Sequence, residues 1–370
     1  MKLKVATSFS GIGSFEQALK KMDIEHEILF ACDNDKYVKE TYFANYKIND
    51  NQWYDDVYNI DGSKFKNKVD IFVGGSPCQS FSSIGFQKGL EDTRGLLIFE
   101  FIRLVNEIKP KVFIFENVKG LLTNNKGQTW KIIEQKFKET GYNIHYKLLN
   151  AKDYGIPQSR NRLFVVGFLN ETDFKFPKPI ELKYKMSDFL EKVFLDEQEI
   201  SEKAKKYVLN EERMKKKITQ VNGEIMLCQV RNQQSNFIGD FVSEGYIKKF
   251  ILSEKLQNTV LKKGKANPQI AKTILSSSFK YHYASTDNYV NYDTDRIRRL
   301  TPKECLRLMG FPDSFKIVVS NTQIYRQSGN SIVVNVFEHL LKEILLSLEN
   351  SNIDTSIKEK KGNKSWEISL

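Results

Sequence analysis

Cysteine, histidine and long apolar runs are all in short supply, and each shortage closes a class of function. The 370 residues include four cysteines, Cys32, Cys78, Cys228 and Cys305, scattered singly with no C-x-x-C. Neither a disulfide framework nor a zinc site is indicated, and no metal is expected. The four histidines all lie outside the motifs described below, which leaves a hydrolase or a thiol-redox enzyme built on cysteine without an imidazole partner or a resolving thiol. No apolar stretch approaches the roughly 20 residues that a bilayer span needs. The first strand pattern starts almost at Met1 and leaves no room for a signal peptide, so a reducing cytoplasm and no membrane partner are expected. Acidic residues are outnumbered, 46 Asp and Glu against 57 Lys and Arg for a net charge of +11, which favours an anionic partner. Apolar residues at 40% and aromatics at 12% are enough for a real core, in one large domain or two ordinary ones.

What is present is an alternation of strand and helix signals. Lys2 to Ser8 runs into Phe9-Ser10-Gly11-Ile12-Gly13 and then into a helical stripe at Phe15, Ala18, Leu19 and Met22. Strand, glycine turn and helix in that order hold nucleotide-like ligands. The dinucleotide fingerprint wants a third Gly or Ala where this chain has Glu16, so a nicotinamide or flavin dinucleotide is disfavoured. Glu27 to Ala31 reads as a second strand, ending in Cys32-Asp33-Asn34-Asp35 ahead of a helix. Asp33 is read either as the acceptor for a ribose diol or as a helix N-cap, and the cap role suits Asp35 better. Asp55-Asp56-Val57 reads as a short third strand end, where an acid can accept from an adenine amino group.

From Asp70 to Arg94 a short buried strand, Ile71-Phe72-Val73, empties through Gly74, Gly75 and Pro77 into a long polar loop with Cys78 at its mouth. A loop of that length is usually functional or disordered, and an isolated cysteine is more often inert core than nucleophile. The rest of the chain decides for the nucleophile. Leu97, Phe101, Leu104, Val105 and Ile108 mark a helix stopped at Pro110, and Val112 to Phe115 is a strand ending in Glu116-Asn117-Val118. After another helix, strands near Asn143 to Leu149 and Leu163 to Phe168 flank Gln158-Ser159-Arg160-Asn161-Arg162. This alternation argues for an α/β fold, a doubly wound, mostly parallel sheet with its ligand site at the carboxyl ends of the strands. At Phe176-Pro177-Lys178-Pro179 the alternation stops, and a Lys-rich stretch follows with an Asn222-Gly223 hairpin signal. The expected division is a catalytic domain over 1–174, a second, smaller domain over 175–292, a return segment over 293–348 and a polar tail over 349–370. Thr301-Pro302-Lys303-Glu304 has the pattern of a capping box, and Gln327-Ser328-Gly329-Asn330-Ser331 is read as introducing a last apolar helix.

A cysteine and a glutamate at the ends of neighbouring strands, a cofactor turn and an arginine pair form a plausible reaction centre. A free thiol is only a few per cent ionised at neutral pH, so Cys78 needs a positive environment, which Arg160 and Arg162 can supply. The set Phe9-Ser10-Gly11-Ile12-Gly13, Pro77-Cys78-Gln79, Glu116-Asn117-Val118, Gln158-Ser159-Arg160-Asn161-Arg162, Arg299-Leu300-Thr301 through Gly310-Phe311-Pro312, and Gly329-Asn330-Ser331 resembles the DNA cytosine carbon-5 methyltransferases of bacterial restriction-modification systems, in that family's order and over nearly the whole chain. The resemblance implies S-adenosylmethionine as methyl donor and a flipped-out cytosine in double-stranded DNA as substrate. It also implies Cys78 as nucleophile, Glu116 on ring nitrogen 3 and Arg162 on the base carbonyl. Phe9, Ser10, Gly11, Gly13, Asp33, Asp56 and Pro77 would hold the cofactor, with Asn330 and Ser331 closing its pocket. Gln79, Ser80, Ser82 and Arg94 in the loop and Arg231 and Lys280 in the middle domain are candidates for touching DNA. A monomer on the bacterial nucleoid, with a separately encoded endonuclease as companion, is the expected setting. Methylation of cytosine in transfer RNA is the alternative within the same chemistry.

Overall fold

In the computed structural model residues 2–76, 93–189, 202–228, 239–243, 297–299 and 301–350 are described. β1 (Leu3–Ser8) enters the core at once and hands over through the Phe9–Gly13 turn to α1 (Ser14–Lys21), whose Phe15, Ala18 and Leu19 are buried. β2 (His26–Cys32) precedes α2 (Lys36–Asn45), and Asp35 caps that helix by accepting the Tyr37 N–H at 2.9 Å. β3 is only Trp53–Tyr54 and stops before Asp55. Asp56, expected at a strand end, instead opens a 3-10 turn, Val57–Asn59, and accepts the Tyr58 N–H at 3.0 Å. β4 (Ile71–Gly74) is wholly buried, and α3 (Thr93–Ile108) covers it. Then come β5 (Val112–Val118), the single turn α4 (Gly120–Thr123), α5 (Gln128–Lys138), β6 (Asn143–Asn150) and β7 (Asn161–Phe168). Glu116, Asn117 and Val118 lie inside β5 rather than past its end, because β7 pairs with them antiparallel out to Val118–Arg162.

Hydrogen bonding arranges the strands in the order β3-β2-β1-β4-β5-β7-β6, the first five parallel and β7 antiparallel to both neighbours. The chain runs outward from β1 in one direction and from β4 in the other. The reversal therefore falls between β1 and β4, where Ser8 pairs with Gly74, and sheets of this kind bind ligands in the crevice beyond that point. Gly74 is there for space: a Cβ would stand 2.6 Å from Ser8 Oγ and 2.7 Å from the Phe101 ring. Phe101 is the hub of the layer under α3, its ring centroid 4.8 Å from that of Phe72 and 5.0 Å from that of Phe115.

The C-terminal segment covers the other face. It holds α8 (Pro302–Arg307), α9 (Asn321–Asn330) and α10 (Val334–Asn350). Phe337 of α10 meets Phe15 of α1 at 5.4 Å and Phe164 of β7 at 6.0 Å between ring centroids. The capping box is formed in full, with Thr301 N–H donating to Glu304 Oε2 at 2.8 Å and Glu304 N–H to Thr301 Oγ1 at 3.2 Å. The Gln327–Ser331 motif does not introduce the last helix. Gln327 to Asn330 is the final turn of α9, Ser331 is its C-cap, and α10 starts afresh at Val334.

Residues 193–222 and 240–300 form a second compact unit. Its described parts are α6 (Glu202–Val208), α7 (Glu211–Lys215) and a small sheet in the order β10-β9-β8, made of β8 (Thr219–Val221), β9 (Gly239–Ser243) and β10 (Ile297–Arg299). These limits differ from the expected 175–292, since 175–192 and 223–239 belong with the first unit and the chain rejoins it at Thr301. The reason is local bonding: Tyr154 Oη donates to the Pro177 carbonyl at 3.1 Å, Ile180 N–H to Asp153 at 2.9 Å, and Met226 exchanges backbone bonds with Pro157 and Ser159. Asn222 has the left-handed φ of 51° that its hairpin signal promised. It makes no two-residue hairpin, because the chain first runs on through Cys228 before β9. No described helix is long and apolar enough to cross a membrane.

Candidate active site

The turn after β1 is built for close approach. Phe9, a side-chain-bearing residue, takes the left-handed φ of 53°, and Gly11 and Gly13 follow at 54° and 75°. Ser10 locks the turn onto β2, its N–H donating to the Cys32 carbonyl and its Oγ accepting the Cys32 N–H, both at 2.9 Å. Asp33 holds the turn from the side: Oδ2 accepts the Gly11 N–H at 3.0 Å and Oδ1 the Asp35 N–H at 3.1 Å. Burial pushes the Asp33 carboxyl up to about 6. Behind the turn, Tyr46 Oη donates to the Gly13 carbonyl at 2.6 Å, and its ring fills the space where a Gly13 Cβ would point. Glu16 is fully enclosed, accepting from Tyr42 Oη at 2.6 Å and Thr7 Oγ1 at 3.0 Å, and desolvation raises its carboxyl above the usual range. The residue that broke the dinucleotide pattern is therefore a buried strut. Its role and those of Tyr42 and Tyr46 were not legible in the sequence, because α2 must pack on α1 before they meet.

Two strands away, Glu116 and Arg162 come together by register. Glu116 pairs with Phe164 across β5 and β7, and Arg162 stands two residues along on the same face, so the side chains meet on the diagonal. Arg162 Nε lies 3.0 Å from Glu116 Oε1. Desolvation raises the Glu116 carboxyl against the pull of Arg162 and Arg160. Gly75, at the exit of β4, abuts it: a Cβ there would stand 3.1 Å from Glu116 Oε2. The neighbouring Asn117 is buried and reaches Ser76 with its amide nitrogen 3.4 Å from both the carbonyl and the Oγ, pinning the β4 exit to β5. That pin was missed in the sequence. A half-buried acid of raised pKa beside a guanidinium can hold a proton and deliver it to a polar ring atom placed between them.

Arg160, expected with Arg162 to give Cys78 a positive environment, has structural bonds of its own. It is buried, and its Nη2 donates to the Gly329 carbonyl at 3.0 Å and the Ser331 carbonyl at 2.5 Å, tying the end of α9 to the start of β7. Burial lowers its guanidinium to about 10. It thus tethers the returning segment from within the fold. Asn330 is exposed and Ser331 buried. The helix that carries them is clamped to α2, where Gln327 accepts from Thr41 Oγ1 at 3.0 Å and donates to the Tyr37 carbonyl at 2.8 Å. The C-terminal segment is thereby brought back to the helix that follows Asp33. Pro77, Cys78, Gln79, Ser80 and Ser82, the side chain of Arg94, Arg231, Lys280 and the tail beyond 350 lie outside the described residues.

A family model described as C-5 cytosine-specific DNA methylase matches residues 3–346. The Type II methyltransferase M.HhaI of Haemophilus parahaemolyticus is 34% identical over 350 residues, covering 94% of this chain and 95% of that protein. The orphan methyltransferase M.SPRI of Bacillus phage SPR is 31% identical over 439 residues, covering 93% and 98%. In fold alone, the solved structure of the Entamoeba histolytica methyltransferase EhMeth is similar, with a TM-score of 0.67 at 17% identity over 94% of this chain and 99% of that one. With nearly the whole chain matched, it belongs to the C-5 cytosine-specific DNA methylase family, enzymes that methylate cytosine in DNA with S-adenosylmethionine as donor.

Proposed function

We propose that this chain transfers a methyl group from S-adenosylmethionine to carbon 5 of a cytosine swung out of a specific duplex DNA sequence, through a covalent adduct on Cys78. The observation that carries the reading is the half-buried Glu116–Arg162 pair against the exit of β4. Cys78 follows Gly75 by three positions, a reach of at most about 11 Å for any backbone. Carbon 5 of cytosine is a poor nucleophile. When the Cys78 thiolate bonds to carbon 6, the ring double-bond electrons shift, and a proton from Glu116 on ring nitrogen 3 keeps negative charge from building up. Arg162 holds the base carbonyl and keeps the Glu116 carboxyl oriented. Carbon 5, made nucleophilic by the adduct, would take the donor's methyl group and leave a neutral thioether; loss of the carbon 5 proton to water would then expel the thiolate, and nitrogen 3 would return its proton to Glu116.

The donor supplies an electrophilic methyl on a sulfonium. The cofactor turn fits it: among the described residues nothing stands within 4 Å of where a Gly11 Cβ would be, and the Asp33 carboxylate keeps lone-pair capacity for a ribose hydroxyl. Phe9 and Asp56 flank the adenosine in this reading, and Asn330 and Ser331 close the pocket. Extruding the base from its stack costs a few kcal/mol, and the loop from Ser80 to Arg94 has the length to close over it. The family match favours DNA over the transfer-RNA alternative. The relatives include both Type II and orphan methyltransferases; we read the chain as a monomer that works alongside a separately encoded endonuclease of the same target.

The test is chemical. Duplex DNA with 5-fluorocytosine at the target should trap the protein in a complex that survives denaturant, because fluorine cannot leave as a cation. Cys78→Ser should form no such complex and transfer no methyl group, while still binding DNA. A Cys78→Ser protein that methylates at the native rate would refute the covalent route.

A further inference from the structure

Between Arg160 and Arg162 lies a sulfur that the proposed mechanism leaves unused. Cys228 Sγ stands 3.5 Å from Arg160 Nη1 and 3.8 Å from Arg162 Nη2, within hydrogen-bonding range for sulfur. Its placement follows from backbone register. Gln158 and Met226 form a parallel bridge, with Ser159 N–H donating to the Met226 carbonyl and Met226 N–H to the Pro157 carbonyl, each at 2.6 Å. Two residues further along both strands, Arg160 and Cys228 fall opposite each other. Gln158 is itself fixed, its Nε2 donating to the Leu308 carbonyl at 2.8 Å. The sequence Glu116, Arg162, Cys228, Arg160 is thus continuous in space, and the far end of Arg160 is fastened to Gly329 and Ser331.

We propose that Cys228 is a positioning residue for Arg162: its sulfur accepts from both guanidinium groups and fixes the direction in which Arg162 faces Glu116 and the base. The arginines in turn favour the thiolate and lower the thiol below its usual range in spite of burial, which strengthens the acceptor. The competing view is that the thiol merely fills space, as most buried cysteines do. The two views order the same substitutions differently. An acceptor role ranks serine above alanine and valine, since a hydroxyl still accepts from a guanidinium. A packing role ranks valine or alanine above serine.

The inference rests on the proposed roles of Glu116 and Arg162, so the experiment carries a control for them. Full-length wild type, Cys228→Ala, Cys228→Val, Cys228→Ser and Glu116→Gln would be compared in single-turnover methyl transfer to unmethylated plasmid DNA, with the KM for S-adenosylmethionine and the unfolding midpoint measured for each. Cys228→Ala and Cys228→Val should each slow transfer about tenfold or more, the scale of losing one partner of a charged hydrogen bond. Cys228→Ser should recover to within about threefold of wild type, and the KM for the donor should stay within about twofold throughout. Cysteine-like rates in the alanine or valine protein, or a serine protein slower than both, would overturn the positioning role while Glu116→Gln remains impaired. If Glu116→Gln runs at the wild-type rate, the underlying reading fails and this inference falls with it. Should the alanine protein not fold, the valine and serine pair decides.

Discussion

Two acids, Glu116 and Asp33, have surroundings that differ in ways that can be measured. Glu116 is half-buried beside a guanidinium, and desolvation raises its pKa even so. Replacing it by glutamine keeps the shape and a donor but removes the transferable proton. Glu116→Gln should therefore cut the transfer rate by about 10² or more with little change in donor affinity, as read by single-turnover kinetics and calorimetry. Donor binding lost with chemistry intact would move Glu116 into the cofactor pocket. Asp33 is raised to about 6 by burial. Its folded pKa lies above the ordinary 3.8. This carboxyl's contribution to stability is thus fully present below about 3.8 and is lost as the pH rises through about 6. Ligand binding has the opposite sign, because a ribose diol wants the charged acceptor. Affinity for S-adenosylmethionine should be flat above about pH 7 and weaken as the pH falls through about 6. A flat profile by calorimetry down to about pH 5 would remove Asp33 from the diol contact.

At the scale of elements, short local motifs hold the long-range return of the chain. The Thr301–Glu304 box starts α8 at the point where the chain rejoins the first unit, and both of its residues are buried. Thr301→Ala loses the cap on a backbone N–H that water cannot reach, so it should cost about 1–2 kcal/mol in denaturant unfolding. Thr301→Ser should lose far less, since it keeps the oxygen; equal losses would mean that the methyl group, and not the cap, is what counts. The clamp of Gln327 on α2 and the tether of Arg160 on Ser331 then bind the end of α9 from two sides. Neither contact is implied by the spacing of its own motif.

For the whole molecule, chemistry and target choice are assigned to different parts. The first unit contains the cofactor turn and the Glu116–Arg162 pair, whereas the second, 193–222 and 240–300, contains none of the methyltransferase motifs apart from the Arg299–Leu300 start of one block. Flanking bases stay stacked and must be read through a groove, which calls for a surface other than the pocket. We therefore propose that sequence reading lies in the second unit, with Lys280 among the candidates; Arg231, the other candidate, falls in the 223–239 stretch grouped with the first unit. Exchanging 193–222 and 240–298 for the matching segments of a relative with another target should move the methylated sequence and leave the carbon-5 product unchanged, as read by methylation-sensitive sequencing. A folded, active chimera that kept its original site would return specificity to the loop after Cys78 or to the block from Arg299 to Pro312. The net charge of +11 adds a salt-dependent attraction to phosphate that does not discriminate between sequences.

The sequence alone determined the alternation of strands and helices, the glycine turn and the α8 cap, because each is written in neighbours or in a period of two or 3.6 residues. It also placed the family, since the motifs keep their order along the chain. Tertiary structure decided what those residues touch. Arg160 and Arg162 stand two apart in one motif, yet antiparallel pairing turns Arg162 onto Glu116, while a backbone bridge from residue 226 and the returning end of α9 enclose Arg160. Glu16 looked like a missing glycine until α2 closed over it, and Cys228 carried no local signal at all. Register between distant strands and the packing of a returning segment are set by the burial of faces far apart in the chain, and no local window of sequence contains that information.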